Sequence, residues 1–220
     1  MSGRILVINP NSTQAVAGHL DEALAPLGVP GGPVIECISL ADGPPGIETQ
    51  AHIESVVQPI SRTIKEREDD VDAFVIACYS DPGLQAAREA TKRRVFGIAE
   101  CGMLSALTLG ERFGVISILA GSIPRHLRYV RALGLNDRFA GDMAIGLGVV
   151  ELSDDAKVLE RMIAVGKRLR DECGAHSAVM GCAGMARFKA RVEEAVGIPV
   201  VEPTQAAVTM AMGAVLLAAN

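Results

Sequence analysis

Two apolar segments that each lead into a cysteine constrain the fold of this chain more than any other feature. The first covers residues 73–77 and leads into Cys78, and the second covers residues 178–181 and leads into Cys182. Each has the length and apolar content of a buried strand, and each is followed by turn-forming or small residues. The two units stand 104 residues apart. The sequence therefore predicts two related halves that face one another.

Both cysteines have neighbours that favour a reactive thiol. Gly181 precedes Cys182 and Gly184 follows two residues later, and glycines let a ligand approach the backbone. After Cys78, Asp81 and Pro82 predict the cap and first position of a helix. A helix that begins beside a thiol lowers its pKa, because the free N–H groups and the helix dipole favour the thiolate. The other cysteines are interpreted as core or helix residues, as most free cysteines are: Cys37, Cys101 and Cys173.

Strands and helices alternate along the chain. Residues 112–118 repeat the pattern of the first strand, and a similar interval of 69 or 65 residues separates each first strand from its cysteine. Continuous apolar strands that alternate with helices predict parallel sheets covered on both faces. We assign residues 1–93 together with residues 203–220 to one α/β domain and residues 94–202 to the second. The last helix is expected to pack back onto the first half.

The pattern also makes two local predictions. Residues 53–68 have the spacing of a single helix, with a kink at Pro59. Residues 136–148 lack a clear periodicity and are predicted to be irregular.

The ends of the predicted strands define one cleft between the halves. Ligands of open parallel sheets bind beyond the carboxyl ends of the strands. Within these segments Asp81 is the only formal charge, so amides, hydroxyls and backbone N–H groups should dominate. The predicted substrate-binding residues are Asn9, Asn11, Ser12, Tyr79, Ser80, Ser117, Ala183 and Gly184. Glu48 is interpreted as structural, and the histidines are expected on helix surfaces or at segment ends: His19, His52, His126 and His176.

The composition argues against several classes of function. The net charge of −5 provides no basic surface for nucleic acid. No run of 18 apolar residues suits a membrane span, and the first residues read as a strand rather than as a signal peptide. Five cysteines without Cys-x-x-Cys spacing fit reduced thiols in a cytoplasmic protein. Without a ligand cluster or a phosphate-binding glycine motif, we expect no metal and no organic cofactor.

Four short motifs stand at the ends of predicted strands. They are residues 8–13 (Ile-Asn-Pro-Asn-Ser-Thr), Gly43-Pro44 with Ile47-Glu48, Ala77-Cys78 with Asp81-Pro82-Gly83-Leu84, and Gly181-Cys182-Ala183-Gly184-Met185. Together they resemble the aspartate/glutamate/hydantoin racemase superfamily, and within it the hydantoin and allantoin racemases. The resemblance covers nearly the whole chain. It implies two pseudo-symmetric, flavodoxin-like α/β domains with parallel sheets and an active site in the cleft between them.

The same resemblance implies a reaction. Cys78 and Cys182 take the two catalytic positions of a cofactor-independent racemase of 5-substituted hydantoins or allantoin. One cysteine, as thiolate, removes the proton from C5, and the other, as thiol, protonates the opposite face. Hydrogen-bond donors must then meet the enolate oxygen. The expected partner is a small cyclic ureide, and the expected assembly is a homo-oligomer without nucleic acid or membrane.

Several alternatives stay open at this stage. Within the superfamily they are racemisation of aspartate or glutamate and cis–trans isomerisation of maleate. The residues after the cysteines, Tyr79-Ser80 and Ala183-Gly184, differ from the Asn-Thr and Thr-His that the resemblance associates with amino-acid racemases. Decarboxylases of this kind keep only one of the two cysteines. A different class is a non-enzymatic, flavodoxin-like protein that binds a ligand or uses its thiols in redox chemistry.

Overall fold

The computed structural model describes residues 3–218 and arranges them around two four-stranded parallel sheets. The strands of the first sheet are β1 (Arg4–Asn9), β2 (Val34–Ser39), β3 (Ala73–Ile76) and β4 (Arg94–Gly97). Those of the second are β5 (Phe113–Ser117), β6 (Phe139–Ala144), β7 (Ser177–Met180) and β8 (Val200–Val201). The strand orders are β2-β1-β3-β4 and β6-β5-β7-β8. The second sheet repeats the first, which confirms the predicted pair of α/β halves.

Helices connect the strands throughout. They are α1 (Gln14–Leu24), α2 (Gln50–Ser55), α3 (Val57–Arg67), α4 (Leu84–Ala90), α5 (Ile98–Leu107), α6 (Ile123–Ala132), α7 (Asp155–Cys173), α8 (Lys189–Val196) and α9 (Pro203–Ala218). Single 3₁₀ segments cover Ala25–Leu27, Ala120–Ser122, Asn136–Arg138, Val150–Ser153 and Ala183–Phe188. Between residues 3 and 218, no helix has the length and apolar character needed to cross a membrane.

Alternation of side chains along the strands creates three apolar cores. Leu6 and Ile8 of β1 point to the outer face of the first sheet, where α2, α3 and α4 cover them. The helices α7 and α8 cover the outer face of the second sheet in the same way. The third core lies between the sheets and joins Val7 and Val75 to Val115 and Val179. The two halves therefore share one interior.

The helices α5 and α9 run through this shared core. They pack against each other, and α9 also contacts β1, β3 and β4 of the first sheet. Because β4 pairs with β3, the first sheet extends beyond the predicted boundary at residue 93. Residues 1, 2, 219 and 220, which that division includes, lie outside the described residues. The division into domains stays a prediction.

Two local predictions were wrong. Residues 136–148 contain strand β6, which lies at the edge of the second sheet. Its six residues are all partly buried, so the sequence has no alternation of apolar and polar residues that would indicate a strand. The helix predicted over residues 53–68 is broken at Val56, between α2 and α3. Pro59 lies in the first turn of α3, where its missing N–H group has no helical partner to lose.

Asp81 caps a different helix from the one predicted. The residue before α4 is Gly83, with a φ of 68°. The Asp81 carboxylate instead accepts hydrogen bonds from the backbone N–H groups of Ala99 (2.9 Å) and Glu100 (2.8 Å), at the start of α5. The hydroxyl of Tyr129 donates to the same carboxylate at 2.9 Å. The contact is possible because β3 and β4 are neighbours, so the segments that follow them meet at one edge of the sheet.

This cap makes Gly97 a test of the fold. A methyl group added by Gly97→Ala would lie 2.2 Å from Cγ of Asp81. The carboxylate would have to leave its two N–H partners, so we expect a loss of roughly 2–4 kcal/mol in the free energy of unfolding. Urea denaturation measures it. The matched control is Gly213→Ala in α9, where nothing lies within 4 Å of the added methyl group. That variant should be as stable as wild type or up to about 1 kcal/mol more stable. Equal stability of the two variants would contradict the role of Asp81 as the cap of α5.

Candidate active site

The carboxyl ends of the strands meet at one cleft between the two halves. Cys78 lies two residues beyond the end of β3, and Cys182 lies two residues beyond the end of β7. Since β3 and β7 hold the same place in their sheets, the two thiols come from matching positions. Both residues are half-buried and line the same cavity, which contains about 570 Å³ of empty space including its opening.

Five of the eight predicted substrate-binding residues line this cleft. They are Asn11, Tyr79, Ser80, Ala183 and Gly184. The structure brings them to the cysteines through the segments that follow β1, β3 and β7.

The other three predicted residues lie behind or beside the wall. Asn9 is fully buried, and its amide nitrogen donates to Oδ1 of Asn11 (3.1 Å) and to Oγ of Ser39 (2.9 Å). It therefore positions Asn11 and does not itself line the cavity. The backbone N–H of Ser12 donates to the carbonyl of Pro44 at 3.1 Å, which holds the neighbouring loop in place. Ser117, at the end of β5, is also fully buried.

Three further residues line the cleft: Glu48, which was interpreted as structural, His126, which was expected on a helix surface or at a segment end, and Arg125, which the sequence analysis did not single out. The expectation that Asp81 supplies the only formal charge is therefore wrong. The Arg125 guanidinium donates to the backbone carbonyls of Gly121 and Glu48, both at 2.8 Å. Its Nε is buried and has no hydrogen-bond partner among residues 3–218. Arg125 thus joins the segment after β5 to a loop of the first half.

The repeat contained a signal for these residues. Because the loop after β1 brings Asn11 to the cleft, the matching segment after β5 should reach it as well. That segment leads into α6, whose first turn contains Arg125 and His126. The repeat therefore indicated that the segment leading into α6 lies near the cleft, but it did not single out Arg125 or His126.

His126 is buried rather than on a helix surface, with 6% of its area exposed. Its Nδ1 lies 2.7 Å from Oδ2 of Asp142 and 3.1 Å from Oγ of Ser117. The Ser117 hydroxyl donates to Oδ1 of the same carboxylate. The Asp142 side chain has no exposed area. The ring of Tyr79 meets the imidazole edge-on, with centroids 5.2 Å apart.

Burial controls the acidity of the two thiols. It raises the pKa of Cys182 to about 11, although the N–H of Gly184 acts in the opposite direction. Burial also raises the pKa of Cys78. The negative charges of Cys182 and Asp81 raise this pKa further, whereas the positive charge of Arg125 lowers it. The predicted lowering by helix N-termini is not found. Helix α4 begins only at Leu84, and a 3₁₀ segment follows Cys182 instead of an α-helix.

A second cavity adjoins the cleft. It contains about 740 Å³ of empty space including its opening, and it lies among α2, α5 and α6. The two cavities share four residues: Tyr79, Ser80, Arg125 and His126. The buried hydroxyl of Tyr79 has no hydrogen-bond partner within the described part of the chain. The four shared residues are all polar, so the boundary between the two cavities is polar.

Comparison with known proteins identifies relatives of this sequence and of this fold. The Asp/Glu/hydantoin racemase family profile matches residues 5–211. A hydantoin racemase of Paenarthrobacter aurescens is 36% identical over 220 residues, covering 97% of this chain and 92% of that protein. An allantoin racemase from Klebsiella pneumoniae has a TM-score of 0.89 at 32% identity, covering 99% of this chain and 89% of that one. The allantoin racemase of Pseudomonas fluorescens has a TM-score of 0.91 at 27% identity, covering 98% and 92%.

These similarities confirm the resemblance that the strand-end motifs indicated, and they agree with the repeated strand order of the two sheets. The family match extends over both halves, so it includes both cysteines and the cleft between them. The chain therefore belongs to the Asp/Glu/hydantoin racemase family, and it is an isomerase of the racemase type.

Proposed function

We propose that this enzyme racemises 5-substituted hydantoins or allantoin by proton transfer at C5, with Cys78 and Cys182 as the two proton-transfer groups. The observation that carries the proposal is the pair of half-buried thiols that reach one cleft from matching positions in the two sheets. The relatives named hydantoin racemase and allantoin racemase support the class of substrate. No cofactor takes part in the proposed reaction.

Inversion at one carbon requires a base on one face and an acid on the other. A cysteine thiolate takes the C5 proton, and the electron pair of the C–H bond moves into the adjacent carbonyl to form an enolate. The second cysteine donates its S–H proton to the opposite face of C5, and the enolate electrons form the new C–H bond. The first cysteine is then a thiol and the second a thiolate. The two halves supply these groups from opposite sides.

The enolate needs donors, and the cleft contains several. The oxygen of the Asn11 amide is engaged by Asn9 and by the backbone N–H of Thr13, which leaves its N–H groups for a ligand carbonyl. The Ser80 hydroxyl and the backbone N–H groups after the cysteines are further candidates. Arg125 adds a positive charge that acts on Cys78 and favours charge developing nearby.

One observation favours a second candidate, the racemisation of aspartate or glutamate. Arg125 lines the cleft and its guanidinium charge would suit a substrate carboxylate, so the sequence-based expectation of a cleft without a basic residue no longer argues against an amino acid. Two features limit this alternative. The guanidinium already donates to two backbone carbonyls, and a carboxylate, that of Glu48, lines the same cleft. The redox alternative receives little support, because thiols with raised pKa values are poor nucleophiles for disulfide exchange.

A substrate panel tests the proposed reaction. Loss of optical rotation should give values of kcat/KM for allantoin or a 5-alkyl hydantoin that exceed those for glutamate and aspartate by roughly 10³-fold, because a cleft built for ring N–H and C=O groups leaves charged groups unpaired. The neighbouring cavity offers space for the C5 substituent, and the panel should vary it. Dialysis against a chelator should leave the rates unchanged. If an acidic amino acid is the best substrate, the proposed substrate class is wrong.

Reactions in deuterium oxide should distinguish the roles of the two cysteines in proton transfer. Cys78→Ser and Cys182→Ser should each lower racemisation by at least about 10³-fold, because one face loses its proton carrier. Each variant should still exchange the C5 hydrogen of one enantiomer for deuterium with retention of configuration, and the two variants should choose opposite enantiomers. Proton NMR measures the exchange. Cys173→Ser, at the end of α7, is the matched control and should behave as wild type. Full racemisation by either active-site variant would exclude the two-cysteine mechanism.

The raised thiol pKa values predict how the rate depends on pH. Only the form with one thiolate and one thiol is active, and burial keeps that form scarce at neutral pH. The value of kcat/KM should therefore rise about tenfold per pH unit between pH 6 and pH 9. Both enantiomers should follow one curve, since their equilibrium constant is one. Circular dichroism measures the rates, after subtraction of the rate without enzyme. A plateau below pH 8 would show that the thiols ionise more easily than their burial implies.

A further inference from the structure

The proposed two-thiol reaction leaves one buried titratable residue on the cleft wall without a role. His126 lines the same cavity as Cys78 and Cys182, and only 6% of its area is exposed. It belongs to α6, whereas its hydrogen-bond partners Ser117 and Asp142 belong to the neighbouring strands β5 and β6. Three elements of the second half thus converge on one imidazole.

The hydrogen-bond network favours one tautomer of a neutral His126 imidazole. The Asp142 carboxylate has no exposed area, so it needs donors from the protein. Ser117 donates its O–H to one carboxylate oxygen, and Nδ1 of His126 is 2.7 Å from the other. A neutral imidazole satisfies this second oxygen only with its proton on Nδ1. The opposite ring nitrogen, Nε2, is then a hydrogen-bond acceptor.

This acceptor has no protein partner within the described residues. Both hydrogen bonds of the His126 ring are made by Nδ1, to residues of β5 and β6, and the residue lines both the cleft and the adjoining cavity. Arg125 has donors only, and Oε1 of Glu48 already accepts from the backbone N–H of Val149 at 2.8 Å. A tether between α6 and the sheet would need Nδ1 alone and would not require the ring to form part of the cavity wall.

We propose that Nε2 of His126 accepts a hydrogen bond from a ring N–H of the bound cyclic ureide, and that Asp142 and Ser117 hold the ring in its acceptor form. The inference rests on the proposed function for the identity of the ligand. It assigns His126 to substrate recognition and Asp142 and Ser117 to positioning. A ligand with an N–H group at this point is selected, and one without it leaves the acceptor unpaired.

Binding of 5,5-dimethylhydantoin tests the assignment apart from catalysis, because this ligand keeps both ring N–H groups and has no proton at C5. In His126→Asn, the amide N–H replaces Nδ1 beside Asp142, but nothing replaces Nε2. We expect calorimetry to show binding about tenfold weaker than in wild type. His176→Asn is the matched control, since His176 is exposed and precedes β7 at the end opposite Cys182. Its Kd should stay within about twofold of wild type.

Asp142→Asn is a second variant that keeps the number of hydrogen bonds. The new amide donates to Nδ1, which moves the ring proton to Nε2 and turns the acceptor into a donor. Binding should again weaken about tenfold. Methylation of one ring nitrogen of the ligand should cost wild type about tenfold and should cost His126→Asn nothing further, because the hydrogen bond is already lost.

The outcomes of these measurements test the hydrogen bond between the ligand and Nε2 of His126. Wild-type affinity in His126→Asn, or the same methylation penalty in that variant as in wild type, would overturn the hydrogen bond. If His126→Asn does not fold, wild-type affinity in Asp142→Asn overturns it. A wild-type protein that does not bind 5,5-dimethylhydantoin also overturns it. Separately, a wild-type protein that binds this ligand and shows the losses above, but racemises no hydantoin, would refute the proposed function and leave the assignment of His126 intact.

Discussion

The packing of the two sheets through one shared core is the constraint on which the rest of the structure depends. Val7 and Val75 of the first sheet and Val115 and Val179 of the second face the same interior. Strands buried on both faces must be apolar along their whole length, so their polar chemistry is displaced to the ends. Because all strands are parallel within each sheet, their carboxyl ends lie at one edge. The shared core brings these two edges together as opposite walls of the cleft.

Buried carboxylates stabilise the helices that cross this core. Asp81 accepts from the first N–H groups of α5, and Glu202 accepts from Thr204 (3.0 Å) and Gln205 (2.6 Å) at the start of α9. Burial raises the pKa of Asp81 to about 7 and also raises that of Glu202, while the N–H donors oppose the shift in both. The two helices occupy matching places after β4 and β8, and they pack against each other. Similar carboxylate caps thus repeat in the two halves, although their residues come from different segments.

The cleft combines this rigid support with an asymmetric set of polar groups. The first half contributes Asn11 and Ser80, which donate or accept, and the second contributes Arg125 and His126. Contacts such as that from Arg125 to the Glu48 carbonyl join the two sides directly. A pseudo-symmetric frame therefore brings two thiols from matching positions to one cleft, while the other polar groups of that cleft differ between the two halves.

Local patterns in the sequence determined much of the architecture. Apolar runs predicted most of the strands, the interval between them predicted the repeat, and the motifs at Cys78 and Cys182 placed both thiols at strand ends. These features depend on the periodicity and turn preference of short segments, which can be recognised in the sequence without knowing the tertiary structure. The strand-end rule also found five residues of the cleft wall, because it follows from parallel pairing alone.

Only the tertiary structure decided which polar side chains meet. His126 and Asp142 are 16 residues apart in the chain, Asp81 and Ala99 are 18 apart, and Arg125 reaches a carbonyl 77 residues away. Each of these contacts depends on the angle and distance between separate elements, to which no local pattern is sensitive. The acidity of the thiols was decided in the same way. Their sequence neighbours predicted helix N-termini that lower the pKa. Helix α4 begins only at Leu84, and burial raises the pKa of both cysteines.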